Sequence, residues 1–206
     1  DLHVFAERVI VDAGRQAEAA AKDGTRLHES GQTWMTVGRM PEEDARLLAP
    51  FQDWINANVD LDNGLVMPCE SVVVNHQQAY AGRVDYPLRF KDGSIVHADV
   101  KTQEVKRDSA GKPKPEFYQD WEMQLAAYSR ATFADGSYPP PMPWRLMSVV
   151  IDRLTPGCYV REWTDPANPI PSSEPAYQAF LSTARVWTYL KRGTPGLDAK
   201  AAKKGA

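Results

Sequence analysis

The sequence predicts a mixed α/β domain: a central sheet of about five strands flanked by helices, with a helical part at the N-terminus. Two observations carry this. Residues up to about 60 and again from 116 to 132 and 174 to 191 read as helices, while 65–102 is Val-rich and alternates, and 144–153 and 158–163 read as two more strands joined at Pro156-Gly157. The helical and strand blocks are interleaved, which fits one sheet with helices on it rather than two separate domains. The 206 residues are enough to bury a sizeable core, and 43% hydrophobic with 25% charged residues excludes global disorder.

The elements follow in order. Residues 3–22 read as a helix, Asp23-Gly24 as its punctuation, and 25–36 as a second helix. Pro41 followed by Glu42, Glu43 and Asp44 starts a third helix that runs to Asn58, with Pro50 expected to kink or split it. Three strands are expected at 66–76, 80–90 and 94–102, then a polar loop over 103–115. A fourth helix spans 116–132, and Pro139-Pro140-Pro141-Met142-Pro143 reads as a stiff connector. Strands at 144–153 and 158–163 and a helix at 174–191 complete the domain. The expected organisation is a helical part over 1–60, the core over 61–191 and a basic, frayed tail over 192–206.

Several classes are disfavoured. No apolar run reaches the roughly 18–20 residues of a membrane span, and no signal pattern opens the chain, so a soluble cytoplasmic protein without a membrane partner is expected. The chain opens on Asp1 rather than Met, which leaves room for a leader or N-terminal piece ahead of it. Cys69 and Cys158 are too few for a disulfide framework or a four-cysteine metal site, and they read as free thiols. The net charge of -3 neither invites nor excludes nucleic acid.

The chemistry concentrates in a hairpin. Lys91-Asp92-Gly93 reads as a three-residue loop with its glycine in the positive-φ position. Phe90 then pairs with Ser94, and Asp85 falls opposite Asp99. One face collects Val84, Tyr86, Leu88, Phe90, Ser94, Val96, Ala98 and Val100, apolar almost throughout and the expected core face. The other carries Asp85, Pro87, Arg89, Ile95, His97, Asp99 and Lys101. Facing carboxylates repel by a few tenths to about 1 kcal/mol, which a shared Mg²⁺ or Mn²⁺ offsets. Lys101 projects from the same face, where its ammonium can hold a water or steady phosphate charge. The alternative is a solvated face whose acids pair with Arg83, Arg89 and Lys101.

Other candidates are weaker singly. Phe117, Trp121, Gln124 and Tyr128 share a helical stripe; Gln124 satisfies a buried backbone group or looks into a polar cleft, and Trp121 reads as core. Lys106, Arg107, Lys112 and Lys114 give the loop a basic character beside the acidic pair, suited to a polyanion or simply an ordinary charged loop. His97 reads as uninvolved, and the role of Glu70 is not readable.

Gly82-Arg-Val-Asp85, Asp99-Val-Lys101-Thr102 and Gln124-Leu-Ala-Ala-Tyr128, preceded by Gly24-Thr25-Arg-Leu-His28, occur in this order over roughly residues 20–130. Together they resemble the RecB-like branch of the PD-(D/E)XK nuclease superfamily, nearest its phage-type and mitochondrial-genome-maintenance exonucleases. The Pro of the nominal motif is replaced by Val84, and the four-cysteine cluster of some relatives is missing, so no iron–sulfur cluster is implied. The resemblance implies a restriction-endonuclease-like core and a metal-dependent DNA nuclease, an exonuclease acting on ends or single strands, in a bacterial or phage-infected cell. It implies one or two Mg²⁺ or Mn²⁺ ions on His28, Asp85, Asp99 and the Val100 carbonyl. Lys101, Gln124 and Tyr128 would complete the catalytic set, with Arg83 and the loop cations on DNA. A silent DNA-binding or assembly module, a structure-specific endonuclease and an unrelated α/β protein are the competing readings.

Overall fold

The computed structural model describes residues 2–136 and 143–192, of which 2–14, 16, 17 and 192 are described by backbone alone. In chain order the elements are α1 (Leu2–Val37), α2 (Glu42–Asn58), β1 (Ser71–Asn75), β2 (Tyr80–Val84), β3 (Tyr86–Arg89), β4 (Ile95–Gln103), β5 (Lys106–Arg107), β6 (Pro113–Lys114), α3 (Gln119–Tyr128), β7 (Thr132–Phe133), β8 (Arg145–Asp152), β9 (Cys158–Glu162) and α4 (Pro169–Arg192). This is a mixed α/β architecture. The connector expected at 139–143 lies, but for Pro143, outside the described residues, as does the tail beyond residue 192.

The expected five-stranded sheet is instead a four-stranded one, β3-β4-β8-β9, beside a three-stranded one, β2-β1-β7, and a two-stranded ribbon, β5-β6. In the four-stranded sheet β4 runs antiparallel to β3 and parallel to β8, and α3 lies in the crossover between them. A central strand with a parallel neighbour is covered on both faces and reads as a continuous apolar run. Accordingly Ile95 through Val100 are all buried.

Alternation sorts these side chains into two cores. Val96, Ala98 and Val100 of β4, with Met147, Val149 and Ile151 of β8, pack against Leu27 of α1 and Leu48, Phe51 and Ile55 of α2. Ile95 and Leu146 face the other way, towards Leu125 and Ala126 of α3 and Ala176 of α4. Each fully buried Leu, Ile or Phe contributes about 1.5–3 kcal/mol relative to exposure. The second face of the hairpin is therefore largely packed rather than solvated: Pro87, Ile95, His97 and Asp99 are buried, and Asp85, Arg89 and Lys101 are half-buried.

The hairpin register is the expected one, Tyr86 opposite Ala98 and Arg89 opposite Ile95, with Phe90 N–H donating to Ser94 O at 2.9 Å. The strand expected at 80–90 breaks at Asp85, however. Residues up to Val84 pair with β1, and residues from Tyr86 pair with β4. Val84 accordingly joins the α3-side core rather than the one lined by Tyr86 and Leu88. The strand expected at 66–76 is cut to Ser71–Asn75, because Pro68 lacks a ladder donor and Glu70 adopts a left-handed φ of 61°.

The helical part departs from expectation at Gly24. A glycine inside a helix costs about 1 kcal/mol relative to alanine, so Asp23-Gly24 reads as a break. Yet α1 runs unbroken through it. A Cβ at Gly24 would lie 2.7 Å from Thr102 Oγ1, so the glycine permits the close approach of α1 to β4. Pro50 likewise sits within a continuous α2, which starts directly after Pro41 with three acids in its first turn. Asp44 in that turn is fully buried; Ser30 Oγ donates to its Oδ2 at 2.6 Å and Arg26 pairs with Oδ1, tying α1 to α2. The expected loop at 103–115 contains the β5-β6 ribbon, α3 is shorter than its expected 116–132, and α4 begins five residues early, at Pro169.

Candidate functional site

The site forms where the chain passes from one sheet to the other. The Asp85 carbonyl accepts the Glu70 N–H at 3.1 Å, while the Asp85 carboxylate Oδ2 accepts the Val100 N–H at 2.9 Å. Asp85 is thus fixed at both ends between the two sheets. α1 brings His28 over it: Nε2 lies 3.2 Å from Asp85 Oδ2 and Nδ1 lies 3.3 Å from Glu70 Oε1. Glu70 is held in turn by Arg83, whose Nε is 3.2 Å from Oε2. Ligand atoms of His28, Glu70 and Asp85 all lie within 4.8 Å of one another. One imidazole and two carboxylates are a hard, oxygen-rich donor set that fits a divalent cation such as Mg²⁺ or Mn²⁺.

Opposite Asp85 on β4 stands Asp99. Lys101 Nζ is 2.9 Å from both of its oxygens, and Asp99 Oδ2 has no other partner among the described residues. The expected juxtaposition of the two aspartates is present, but Asp99 is turned to Lys101 and is not one of the three converging ligands. Its place in that group is taken by Glu70, which the sequence reading left without a role. Val100 lines the cleft and contacts Asp85 through its N–H.

The electrostatics follow from this crowding. Burial, and after it the negative charge of Asp85, pushes Asp99 up to about 6, with Lys101 pulling the other way. His28 is raised above its usual 6.5, chiefly because its hydrogen bond to Asp85 favours the imidazolium; burial opposes this, and the charges of Asp85, Glu70 and Asp99 add to it. Sandwiched between two carboxylates, a protonated His28 balances charge that a bound cation would otherwise balance.

The remaining wall comes from α3. Trp121, Gln124 and Tyr128 line the same cavity of about 800 Å³ as His28, Glu70, Asp85 and Lys101. Trp121 is therefore half-buried at the cleft rather than a core residue, and the Lys101 ammonium sits 5.9 Å from its ring centre. Gln124 Nε2 donates to Tyr128 Oη at 2.8 Å, so the glutamine serves the cleft rather than a buried backbone group. Gly82 exists for Tyr128: a Cβ on it would lie 2.7 Å from Tyr128 Cζ and closer still to Cε1.

The expected basic residues divide. Arg83 stands exposed at the cleft rim. Lys106 and Lys114 face each other across the β5-β6 ribbon and line a neighbouring cavity. Arg107 and Lys112 line neither cavity; Arg107 donates to Gly111 O and Thr155 Oγ1 at 3.2 Å each. His97 is buried beside the Trp144 ring at 3.8 Å and the Phe133 ring at 6.2 Å, apart from the site. Burial raises both thiols, Cys69 and Cys158, to about 12, which leaves them protonated and poorly nucleophilic. No helix of the described residues is long and apolar enough to cross a membrane.

No protein-family model matches the chain, and no curated protein matches it either. The α/β architecture and the cleft are thus the ground on which function is argued.

Proposed function

We propose that the chain is a metal-dependent phosphodiesterase acting on DNA, with the restriction-endonuclease-like core that its motifs resemble. The observation that carries this is the convergence of His28, Glu70 and Asp85 beside the Asp99–Lys101 pair on one open cleft. A Mg²⁺ or Mn²⁺ ion held by His28, Glu70 and Asp85, beside the Asp99–Lys101 pair, would supply an activated water and neutralise phosphate charge.

The chain's own residues do the rest. Asp99 holds the Lys101 ammonium in the cleft, where it orients the attacking water and stabilises the pentacovalent charge. Gln124 fixes the Tyr128 hydroxyl, and the two position the strand. Arg83 restrains Glu70 and presents a cation to an approaching phosphate. The cleft is open, which suits a polymer end or a single strand, and an exonuclease is the form of activity proposed.

The test is degradation of end-labelled linear single- and double-stranded DNA with Mg²⁺, Mn²⁺ or EDTA, for the protein and its Lys101→Ala variant. Cleavage that needs the metal and disappears in the variant is the expected result. Unchanged cleavage in the variant, or none with any metal, refutes the reading; in the second case a DNA-binding module of the same fold takes its place.

A further inference from the structure

A second cavity of about 380 Å³ adjoins the cleft and shares Thr102 and Trp121 with it. That volume is in the range of a site for one small-molecule unit, about 300–1,000 Å³. Its wall includes Lys106 and Lys114 of the β5-β6 ribbon, Tyr118, Trp121 and Arg153, together with two carboxylates, Glu104 and Glu116, that pair with Arg153 and Lys106.

Two features of this wall cost free energy in the protein alone. Lys106 and Lys114 stand directly opposite each other in the ribbon, an arrangement of like charges that destabilises a strand pair. Glu116 relieves Lys106 at 3.1 Å, but Lys114 has no ion pair among the described residues. Arg153 is occupied by Glu104 at 2.8 Å, so the free cation of the cavity is Lys114.

Tyr118 is the second feature. It remains 48% exposed although its hydroxyl is tied to Glu116 and its ring makes a T-shaped contact with Trp121 at 5.1 Å. Ordering an exposed aromatic ring in this way loses rotamer entropy with little burial in return. A rigid, exposed ring beside an unpaired lysine is the arrangement that binds a base by its face and the adjoining phosphate by its charge.

We propose that this cavity is the subsite for the nucleotide next to the scissile phosphate of a single-stranded nucleic acid. Lys114, with Lys106 opposite it, takes a backbone phosphate, and the unpaired base lies on Tyr118 beside Trp121. A duplex keeps its base faces stacked within itself and offers nothing to Tyr118. The subsite deepens the phosphodiesterase reading and rests on it for its meaning. Trp121 joins the two cavities and lies within cation–π distance of Lys101, so an occupied subsite places the next phosphate towards the ammonium.

The experiment is fluorescence anisotropy of a labelled oligo(dT) of about eight nucleotides, and of a blunt duplex of equal length, with Ca²⁺ replacing Mg²⁺. Base stacking on an aromatic predicts that Tyr118→Ala weakens single-strand binding about five- to tenfold, while Tyr118→Phe restores it. Lys114→Gln should lower the slope of log affinity against log salt by about 0.7, the share of one single-strand phosphate contact. All three changes are at exposed positions, and unchanged melting temperatures confirm folding.

Single-strand affinity that is the same in Tyr118→Ala and Lys114→Gln as in the unaltered chain overturns the subsite, whether or not the protein cleaves DNA. An equal loss of duplex binding in Tyr118→Ala overturns its single-strand selectivity. No binding of either probe overturns it too. Binding with the expected losses but without cleavage in Mg²⁺ upholds the subsite and refutes the phosphodiesterase reading alone.

Discussion

Replacing His97 by leucine or phenylalanine should make the protein less sensitive to acid. His97 is 1% exposed, packed between Trp144 and Phe133, and neither ring nitrogen has a hydrogen-bond partner among the described residues. Burial alone pushes it from 6.5 down to about 3. The folded protein therefore refuses a proton that the unfolded chain accepts. Its contribution is complete above pH 6.5, falls as the pH drops below that value, and stops falling near pH 3. Each pH unit in this window is worth about 1.4 kcal/mol, so between pH 6.5 and about pH 4.5 the loss approaches ~2.7 kcal/mol. Asp99 acts in the opposite sense. Raised from 3.8 to about 6, it gains stability as the pH falls through that interval, and it masks part of the histidine's effect in the unaltered protein. A comparison of variant with unaltered protein cancels this. Urea unfolding at about pH 7.5 and about pH 4.5 should show the variants gaining roughly 2–3 kcal/mol relative to the unaltered chain at the lower pH. A stability difference that is the same at both values would refute the account, because it would mean that His97 is not kept neutral by the fold.

Two further predictions concern the site. Gly82→Ala drives a methyl group into the Tyr128 ring, and overpacking of this kind costs about 1–3 kcal/mol; Tyr128→Ala in the same chain should recover most of that cost, and additive losses in urea unfolding would show that the two residues do not meet. If the proposed ion is bound, Mn²⁺ at 100 times its dissociation constant should stabilise the unaltered chain by about 2.7 kcal/mol and Glu70→Gln should abolish that gain; stabilisation found intact in the variant by calorimetry would show that the metal is not held by Glu70.

Much of the fold was legible because its signals are local. The three-residue loop ending in Gly93 sets the hairpin register, and the structure reproduces it from Arg89–Ile95 to Tyr86–Ala98. The acids after Pro41 mark the start of α2 for a reason confined to one helical turn. What was not legible depends on partners distant in sequence. Gly24 looks like a break until Thr102 is placed against it. Asp85 looks like one residue of a continuous strand, since nothing in 80–90 says that its two halves have different neighbours. His97 looks polar and outward because the crossover that covers it, through α3 and Phe133 to Trp144, comes only later in the chain.

The same distinction divides the site. Asp85, Asp99 and Lys101 were readable because a two-residue period and one register place them, and Gln124 and Tyr128 because one helical turn does. Glu70 was hidden by its backbone. In a regular strand leading to Ser71 its side chain would alternate with its neighbours and give no sign of where it points. The left-handed φ of 61° takes it out of that pattern, at a cost of order 1–3 kcal/mol for a non-glycine residue. The structure holds the strain with two contacts, the Glu70 N–H on the Asp85 carbonyl and the Arg83 guanidinium on the carboxylate. Both partners belong to the Gly82-Arg-Val-Asp85 segment, so the segment that supplies one carboxylate also positions the second. That dependence gives Arg83 a purpose apart from any contact with a substrate. It explains, too, why a strained glutamate, rather than the regular and lysine-bound Asp99, completes the group around His28.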